Sequence, residues 1–250
     1  MSCVRLYLYY DTDWPYKIIP MFRIMGGEFP NRFRHLIVDS GVDKFFRHMR
    51  LKDYPEGYLE KYPYIAENLT KRFGERVWIT LPDYPADYPE NPIEDNMEKT
   101  IKNIETMIDR RVNWIVVLQA RWGDLREFEK ACKIYRDLIG DYPRIAIGTL
   151  CTRGKLEYAV GCCRLARRYF PTSWIHVFGP NIRWLRHISR YVNSFDSVAY
   201  WKPPHGYKGL IKNNVRRRFL EIWLDRVDGY LGDWKYQEKL TEYLASGRLS

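Results

Sequence analysis

Three aspartates stand in or just after short apolar runs, where their carboxylates could share one pocket. Asp39 follows LIV, Asp83 follows ITLP, and Asp196 lies within SFDS. Carboxylates that face one pocket repel one another, so their convergence points to chemistry. One of them can attack an electrophilic carbon and hold a covalent intermediate, while a second moves protons to and from the leaving or entering group. This is the two-carboxylate logic of retaining glycosyl transfer.

Other residues at similar positions could hold a flat base. Gln119, with the third carboxylate, could bond the edge of a purine, and Gly148 and Gly179 would let the base approach the backbone. Ser40 stands in the DSG turn, and His176 lies within an apolar run. Each has a plainer explanation as well. A strand-end aspartate often caps a helix, a glycine often forms a turn, and such a histidine is often a hydrogen-bonded core residue.

Short apolar runs alternate with helical patterns along most of the chain. Seven runs predict strands, at residues 4–10, 35–41, 77–85, 113–119, 144–150, 174–179 and 194–201. Six patterns predict helices, at residues 93–111, 124–140, 154–170, 181–192, 213–228 and 233–245. Apolar strands that alternate with amphipathic helices indicate a parallel sheet covered by helices.

These elements predict an α/β fold, a single-domain (β/α)₈ TIM-type barrel over residues 1–250. No eighth strand is obvious, and LIKNN at residues 210–214 is a poor candidate, so the prediction allows an irregular last unit. An open doubly wound sheet is the alternative. Active sites of such barrels lie at the carboxyl ends of the strands, which would bring the aspartates, Gln119 and Gly148 to one rim. No dinucleotide, P-loop or H-E-x-x-H motif is present.

Charge and cysteine content set the expectations for partners and location. The 250 residues include 41 Lys and Arg against 31 Asp and Glu, a net charge of +10 that suits a polyanionic partner but also occurs in proteins that bind no nucleic acid. The five cysteines are odd in number and include no C-x-x-C pair, so neither a disulfide framework nor a zinc site is indicated. We therefore expect a cytoplasmic protein with no membrane partner, metal or cofactor.

The sequence resembles the tRNA-guanine transglycosylase superfamily in six stretches, LIVDSG, ITLPDYP, IVVLQ, IAIGTL, HVFGP and SFDSVAYW. That superfamily includes queuine and archaeosine tRNA enzymes and enzymes that place 7-deazaguanines in DNA. The pair HVFG and SFDSVAYW is the most specific part, and it is closer to the archaeal and DNA-directed branches. The resemblance implies a pentosyltransferase that exchanges guanine for a 7-deazaguanine (preQ0-like) base without a cofactor.

By motif, the resemblance assigns residue roles. Asp196 matches the nucleophile that attacks the sugar C1′, and Asp39 matches the general acid/base. The resemblance assigns contacts with the base to Asp83, Gln119, Gly148, His176, Gly179 and Ser40. Candidates for phosphate contacts are Arg121, Lys202, Lys208, Arg216, Arg217 and Arg218. The three consecutive arginines could equally form a solvated helix face.

Departures from the superfamily pattern bear on the substrate. Val42, Asp43, Lys44 and Phe45 replace the glycine pair and glutamine that follow DSG, and the C-terminal cysteine-rich zinc motif is missing. Because these features help tRNA enzymes hold tRNA, their loss makes DNA somewhat favoured. Two alternatives stay open. One is a non-catalytic barrel that binds nucleic acid or supports a partner subunit. The other is a barrel hydrolase or lyase acting on a small sugar or nucleoside. Whichever function holds, the protein could also form a homodimer.

Overall fold

Eight short parallel strands form a closed barrel in the computed structural model. It describes residues 4–12, 14–85, 93–121, 123–148, 150, 155–197 and 213–231, with the backbone alone at 93–95, 213–219 and 221–222. The strands are β1 (Arg5–Tyr9), β2 (Tyr16–Pro20), β3 (His35–Asp39), β4 (Val77–Thr80), β5 (Trp114–Leu118), β6 (Arg144–Ile147), β7 (Trp174–Val177) and β8 (Ser194–Ser197). Each strand pairs with the next in sequence, and β1 pairs with β8, where Tyr7 lies opposite Asp196. This confirms the predicted (β/α)₈ fold.

Helices follow the strands on the outside. They are α1 (Met21–Met25), α2 (Tyr58–Phe73), α3 (Ile93–Met107), α4 (Leu125–Ile139), α5 (Leu156–Tyr169), α6 (Leu185–Ile188) and α7 (Asn213–Leu231). The fourth shows how local sequence sets the bounds. The Asp124 side chain accepts from the Arg126 and Glu127 amides, and Gly140 ends the helix at φ 61°. Its buried residues, Phe128, Ala131, Cys132 and Tyr135, recur at helical spacing.

The strand that sequence reasoning missed is β2, the second in the barrel rather than one in the last unit. Its five residues, YKIIP, are bounded by Pro15 and end at Pro20, and they are paired along their whole length with β3. Prolines are tolerated only at the ends of such strands, so the run is short and resembles a loop. Of the poor candidate LIKNN, Asn213 and Asn214 begin α7.

The structure differs from the helical predictions at α2 and at residues 181–192. No helix was predicted at α2, where Pro63 interrupts the pattern, although Tyr58, Tyr62, Ala66 and Leu69 form its buried face. The predicted helix at residues 181–192 is a 3₁₀ turn (Ile182–Trp184) followed by the one-turn α6. The predicted helix at residues 233–245 lies outside the described residues.

Aromatic rings from non-adjacent strands fill the barrel interior. Trp78 of β4 meets Trp174 of β7 edge to face, with ring centroids 5.4 Å apart. Tyr7 of β1 contacts both His35 and His176, each at 5.7 Å. Contacts across the barrel of this kind close its centre, so the chemistry must lie at an end.

Across the described residues, no helix is both long enough and apolar enough to cross a membrane. The same residues contain no group of three or more His, Cys, Asp or Glu that could hold a metal ion. Cys132, Cys162 and Cys163 are buried free thiols.

Candidate active site

The three predicted carboxylates meet at the mouth formed by the carboxyl ends of the strands. Asp39 is the last residue of β3, Asp83 lies three residues beyond β4, and Asp196 is the third residue of β8. The charges of Asp83 and Asp196 both act on Asp39. The tertiary structure therefore gathers residues that are far apart in the sequence around one space.

Asp83 is buried and is held by two side chains. The Ser40 hydroxyl donates to Oδ1 at 2.8 Å, and the Gln119 amide donates to Oδ2 at 2.6 Å. Burial raises the pKa of Asp83 to about 6, and these two hydrogen bonds act in the opposite direction. The backbone amide of Asp83 also bonds the carboxylate, and its two oxygens offer about four acceptor sites, so it can still accept a hydrogen bond from a ligand.

Gly148 gives the Gln119 side chain its space. A Cβ atom at Gly148 would lie 2.4 Å from the Gln119 amide nitrogen and 2.8 Å from a Val117 methyl group. These approaches are closer than real atoms allow, so any side chain at Gly148 would displace Gln119. Gly148, which directly follows β6, thus leaves room for the Gln119 amide that holds Asp83.

Asp196 receives two N–H groups on one oxygen. The Gly179 amide donates to Oδ1 at 2.9 Å, and His176 Nε2 lies 3.3 Å from the same atom. Gly179 adopts a left-handed φ of 49°, which is a conformation that glycine accepts without strain. Within the described residues Oδ2 has no hydrogen-bond partner.

A buried chain of hydrogen bonds fixes the His176 ring. A carboxylate only accepts, so Nε2 carries the proton that faces Asp196. Nδ1 lies 2.8 Å from the Ser194 hydroxyl, which itself accepts from the Trp174 indole at 2.9 Å. The chain runs from the barrel interior to Asp196 and orients its carboxylate.

The Asp39 carboxyl group has a raised pKa. Desolvation, followed by the negative charge of Asp83 and then that of Asp196, raises the pKa of Asp39 to about 7. The Gly41 amide, turned back by a φ of 89°, donates to Oδ2 at 3.0 Å and offsets part of this effect. A carboxyl group with this pKa both gives and takes protons near neutral pH.

Three tyrosines that sequence reasoning missed hold the strand ends. The hydroxyls of Tyr54, Tyr58 and Tyr62 donate to the carbonyls of Asp83, Ser40 and Thr80, at 2.7, 2.8 and 2.7 Å, respectively. Their spacing of four residues is a helical signal, but nothing in the sequence shows which carbonyls they reach. Ser194 was missed as well, although it stands two residues before Asp196 on the same strand face.

The structure describes the predicted base-contact residues but only some of the predicted phosphate-contact residues. His176 and Gly179 both bind Asp196, and a base contact by either stays a prediction. Arg121 is exposed just beyond β5, as a phosphate contact requires. Lys202 and Lys208 lie outside the described residues. Arg216, Arg217 and Arg218 are on α7, but only their backbone is described.

A separate cavity of about 500 Å³ opens at the opposite, amino-terminal end of the barrel. Trp78, Trp174, Arg144, Arg167 and Arg190 are among its lining residues. None of the predicted site residues lines it. This cavity is therefore separate from the candidate site, which rests on the grouping of carboxylates.

No protein-family model and no curated protein matches the sequence. Among solved structures, the chain is similar to a putative fructose-1,6-biphosphate aldolase from Coccidioides immitis, with a TM-score of 0.50 and 11% identity over 93% of this chain and 92% of that chain. It is also similar to the HMG-CoA lyase from Brucella melitensis, with a TM-score of 0.44 and 9% identity over 92% and 97% of the two chains. At 11% identity, the first of these likenesses shows the barrel fold alone.

Proposed function

We propose that this chain is a pentosyltransferase that exchanges a guanine of a nucleic acid for a 7-deazaguanine (preQ0-like) base, with DNA favoured over tRNA. One observation carries the proposal. Two carboxylates at one mouth differ in their surroundings: Asp196 accepts two N–H groups on one oxygen, while burial and neighbouring charge raise the pKa of Asp39 to about 7. Such a difference supports the roles of nucleophile for Asp196 and acid/base for Asp39.

In the first half-reaction, Oδ2 of Asp196 attacks C1′ of the target nucleotide. The bond from C1′ to guanine N9 breaks, and protonated Asp39 supplies the proton that the departing base takes up. In the second half-reaction, the Asp39 carboxylate removes the N9 proton of the incoming 7-deazaguanine. That nitrogen attacks C1′ and releases Asp196, so two inversions give net retention.

Asp83 and Gln119 would select the base. A guanine edge presents N–H donors, and Asp83 keeps acceptor capacity beyond its bonds to Ser40, Gln119 and its own backbone amide. A base that lacks those donors would leave this remaining capacity unpaired in a buried site, which is a costly arrangement. Guanine and its 7-deaza analogues share this edge, which suits an exchange between them.

Trapping the covalent intermediate tests the proposal. The protein is denatured while it reacts with guanine-containing duplex DNA or tRNA, and nucleic acid attached to protein is measured. We expect an adduct with the wild type and at least about a 10³-fold loss in Asp196→Asn. Asp137→Asn, an exposed carboxyl change on α4, is the matched control and should react like the wild type.

Other outcomes would support the alternatives. An adduct that persists in Asp196→Asn would show that another residue is the nucleophile. Tight calorimetric binding of a free 7-deazaguanine without any adduct would favour the non-catalytic barrel. Cleavage of a free nucleoside as fast as the polymer would favour a small-molecule hydrolase or lyase.

A further inference from the structure

Residues 43–52, called the basic rim below, follow directly after the turn that holds Asp39. The rim begins with a π-helix (Asp43–His48), and its exposed surface is rich in cations. Its permanently charged exposed cations are Lys44, Arg47, Arg50 and Lys52. The carboxylates among and next to them are Asp43 and Asp53. The rim is therefore positively charged.

Buried aromatic residues fix the basic rim on the mouth. Phe45 packs edge to face on Tyr58 at 4.9 Å, and Phe46 packs on Tyr84 at 5.5 Å. Arg50 is held at a left-handed φ of 54°, uncommon for a residue with a side chain, in a turn where the Leu51 amide donates to the Phe45 carbonyl at 3.0 Å. The surrounding packing maintains this turn, so the rim presents its side chains in a set arrangement.

Met49 is the tip of this turn, and its exposure is unusual. It is 49% exposed and is one of three large hydrophobic residues with exposed side chains in the described part of the chain, together with Tyr64 and Leu125. It stands between His48 and Arg50. An exposed apolar side chain among cations contributes nothing to the binding of an anion by charge alone.

Ion pairing divides the cations of the basic rim. Arg47 and His48 both reach Asp43, at 3.2 and 3.1 Å. Lys44 and Arg50 form no ion pair with any described residue. Their charges remain available for an anion from outside.

We propose that the basic rim binds the phosphates of duplex DNA beside the extruded nucleotide, and that the Met49 side chain enters the stack where the base has left. The inference rests on the proposed function. Lysine and arginine gain affinity by releasing counterions from phosphates. Apolar side chains such as methionine insert between base steps in other DNA-binding proteins. Because only a stacked duplex leaves a gap when a base is extruded, the pairing of Met49 with cations favours duplex DNA over a loop.

Salt dependence of binding tests the phosphate contacts. The probe is a duplex DNA of about 30 base pairs with one G·T mismatch, whose guanine is cheap to extrude. The variant is Lys44→Gln with Arg50→Asn, since asparagine tolerates a left-handed φ. We expect its affinity to fall by about tenfold, and the slope of log K against log[salt] to become shallower by about 2. Lys71→Gln with Lys133→Gln removes two exposed helical charges elsewhere and should bind like the wild type.

Fluorescence of a 2-aminopurine next to the mismatch tests Met49. Its emission rises when the neighbouring base leaves the stack. We expect Met49→Ala to lose most of this rise while keeping the wild-type salt slope, and Met49→Leu to retain it. Equal signals from the alanine and leucine variants would remove Met49 from the proposal.

Outcomes for the rim and for the chemistry can be told apart. Wild-type affinity and salt slope in Lys44→Gln with Arg50→Asn would overturn the rim proposal, even where an adduct still forms. If that variant loses DNA binding while the wild type forms no adduct with any nucleic acid, the rim proposal is retained and the proposed function is wrong. Tighter binding of an RNA hairpin of matched sequence would overturn the assignment to DNA.

Discussion

Arg167, at the amino-terminal end of the barrel, is more fully hydrogen-bonded than the carboxylates at the opposite mouth. At the amino-terminal end, Arg167 donates to the carbonyls of Tyr191, Phe170, Pro171 and Ser173 and, at 2.6 Å, to the side chain of Asn193. At the mouth, Asp196 and Asp39 each keep an oxygen that has no hydrogen-bond partner within the described residues. A cavity of about 500 Å³ lies at the end that holds Arg167.

This difference separates a charge that holds the fold from one that can react. A guanidinium that donates to four backbone carbonyls and a side-chain amide oxygen has little capacity left for a ligand. Carboxylates crowded together without full pairing are costly to fold, and such groups are retained where they act on a substrate. We therefore expect changes at the amino-terminal end to affect stability and changes at the mouth to affect reaction.

Arg167→Ala should show the largest effect on stability. Removing the guanidinium leaves several carbonyls and Asn193 without their donor, at a cost of about 3 kcal/mol in the free energy of unfolding. Urea unfolding measures this change, and Arg168→Ala, whose side chain is 72% exposed, should cost less than about 0.5 kcal/mol. A loss of adduct formation per folded molecule in Arg167→Ala would break the comparison.

Asp39→Asn should stabilise the protein more at high pH than at low pH. The pKa of Asp39 is raised in the folded state to about 7 from an ordinary value of 3.8. Its favourable contribution is therefore complete below pH 4 and is lost as the pH rises through 7. We expect the stabilisation by asparagine to be about 2 kcal/mol greater at pH 8 than at pH 5, in urea titrations of both proteins. A constant difference would mean that Asp39 titrates normally.

The same pKa predicts opposite pH dependences for the two half-reactions. Adduct formation needs protonated Asp39 and should slow above pH 7, while release by an incoming 7-deazaguanine needs the carboxylate and should slow below pH 7. Single-turnover rates from pH 5 to 9 measure both limbs. Parallel limbs in the two half-reactions would argue against one residue serving as acid and base.

Ser194→Ala tests the comparison through a residue that acts on Asp196 only by way of His176. His176 would lose its hydroxyl partner, and we expect adduct formation to slow by about tenfold with unchanged DNA affinity. A change in affinity alone would indicate a binding role instead. Rates are taken per folded molecule, because the Trp174 indole also loses its acceptor.

Arg190→Gln should have the smallest effect. This arginine lines the amino-terminal cavity, is exposed and forms no ion pair with a described residue. Unfolding free energy should change by less than about 0.5 kcal/mol, and DNA binding should not change. A marked loss of DNA binding would show that the amino-terminal cavity takes part in binding, which would contradict the comparison.

Regular elements of the fold could be read from the sequence, and irregular ones could not. The seven predicted strands all appear, because buried parallel strands are continuous apolar runs. The missing strand, β2, is five residues long and ends at Pro20, and α2 carries Pro63, so both look like loops locally. Pairing with β3 and the burial of Tyr58 and Tyr62 outweigh those local signals.

By itself, the sequence determined the alternation of strands and helices and, through it, that Asp39, Asp83, Gln119 and Asp196 would stand at one end of a barrel. Only the tertiary structure decided what each of them can do. Hydrogen-bond partners and pKa values depend on which groups packing brings within a few ångströms, and His176, Ser40 and Gly148 reach their partners from other strands or loops. Periodicity carries no information on those distances, since they arise when the barrel closes.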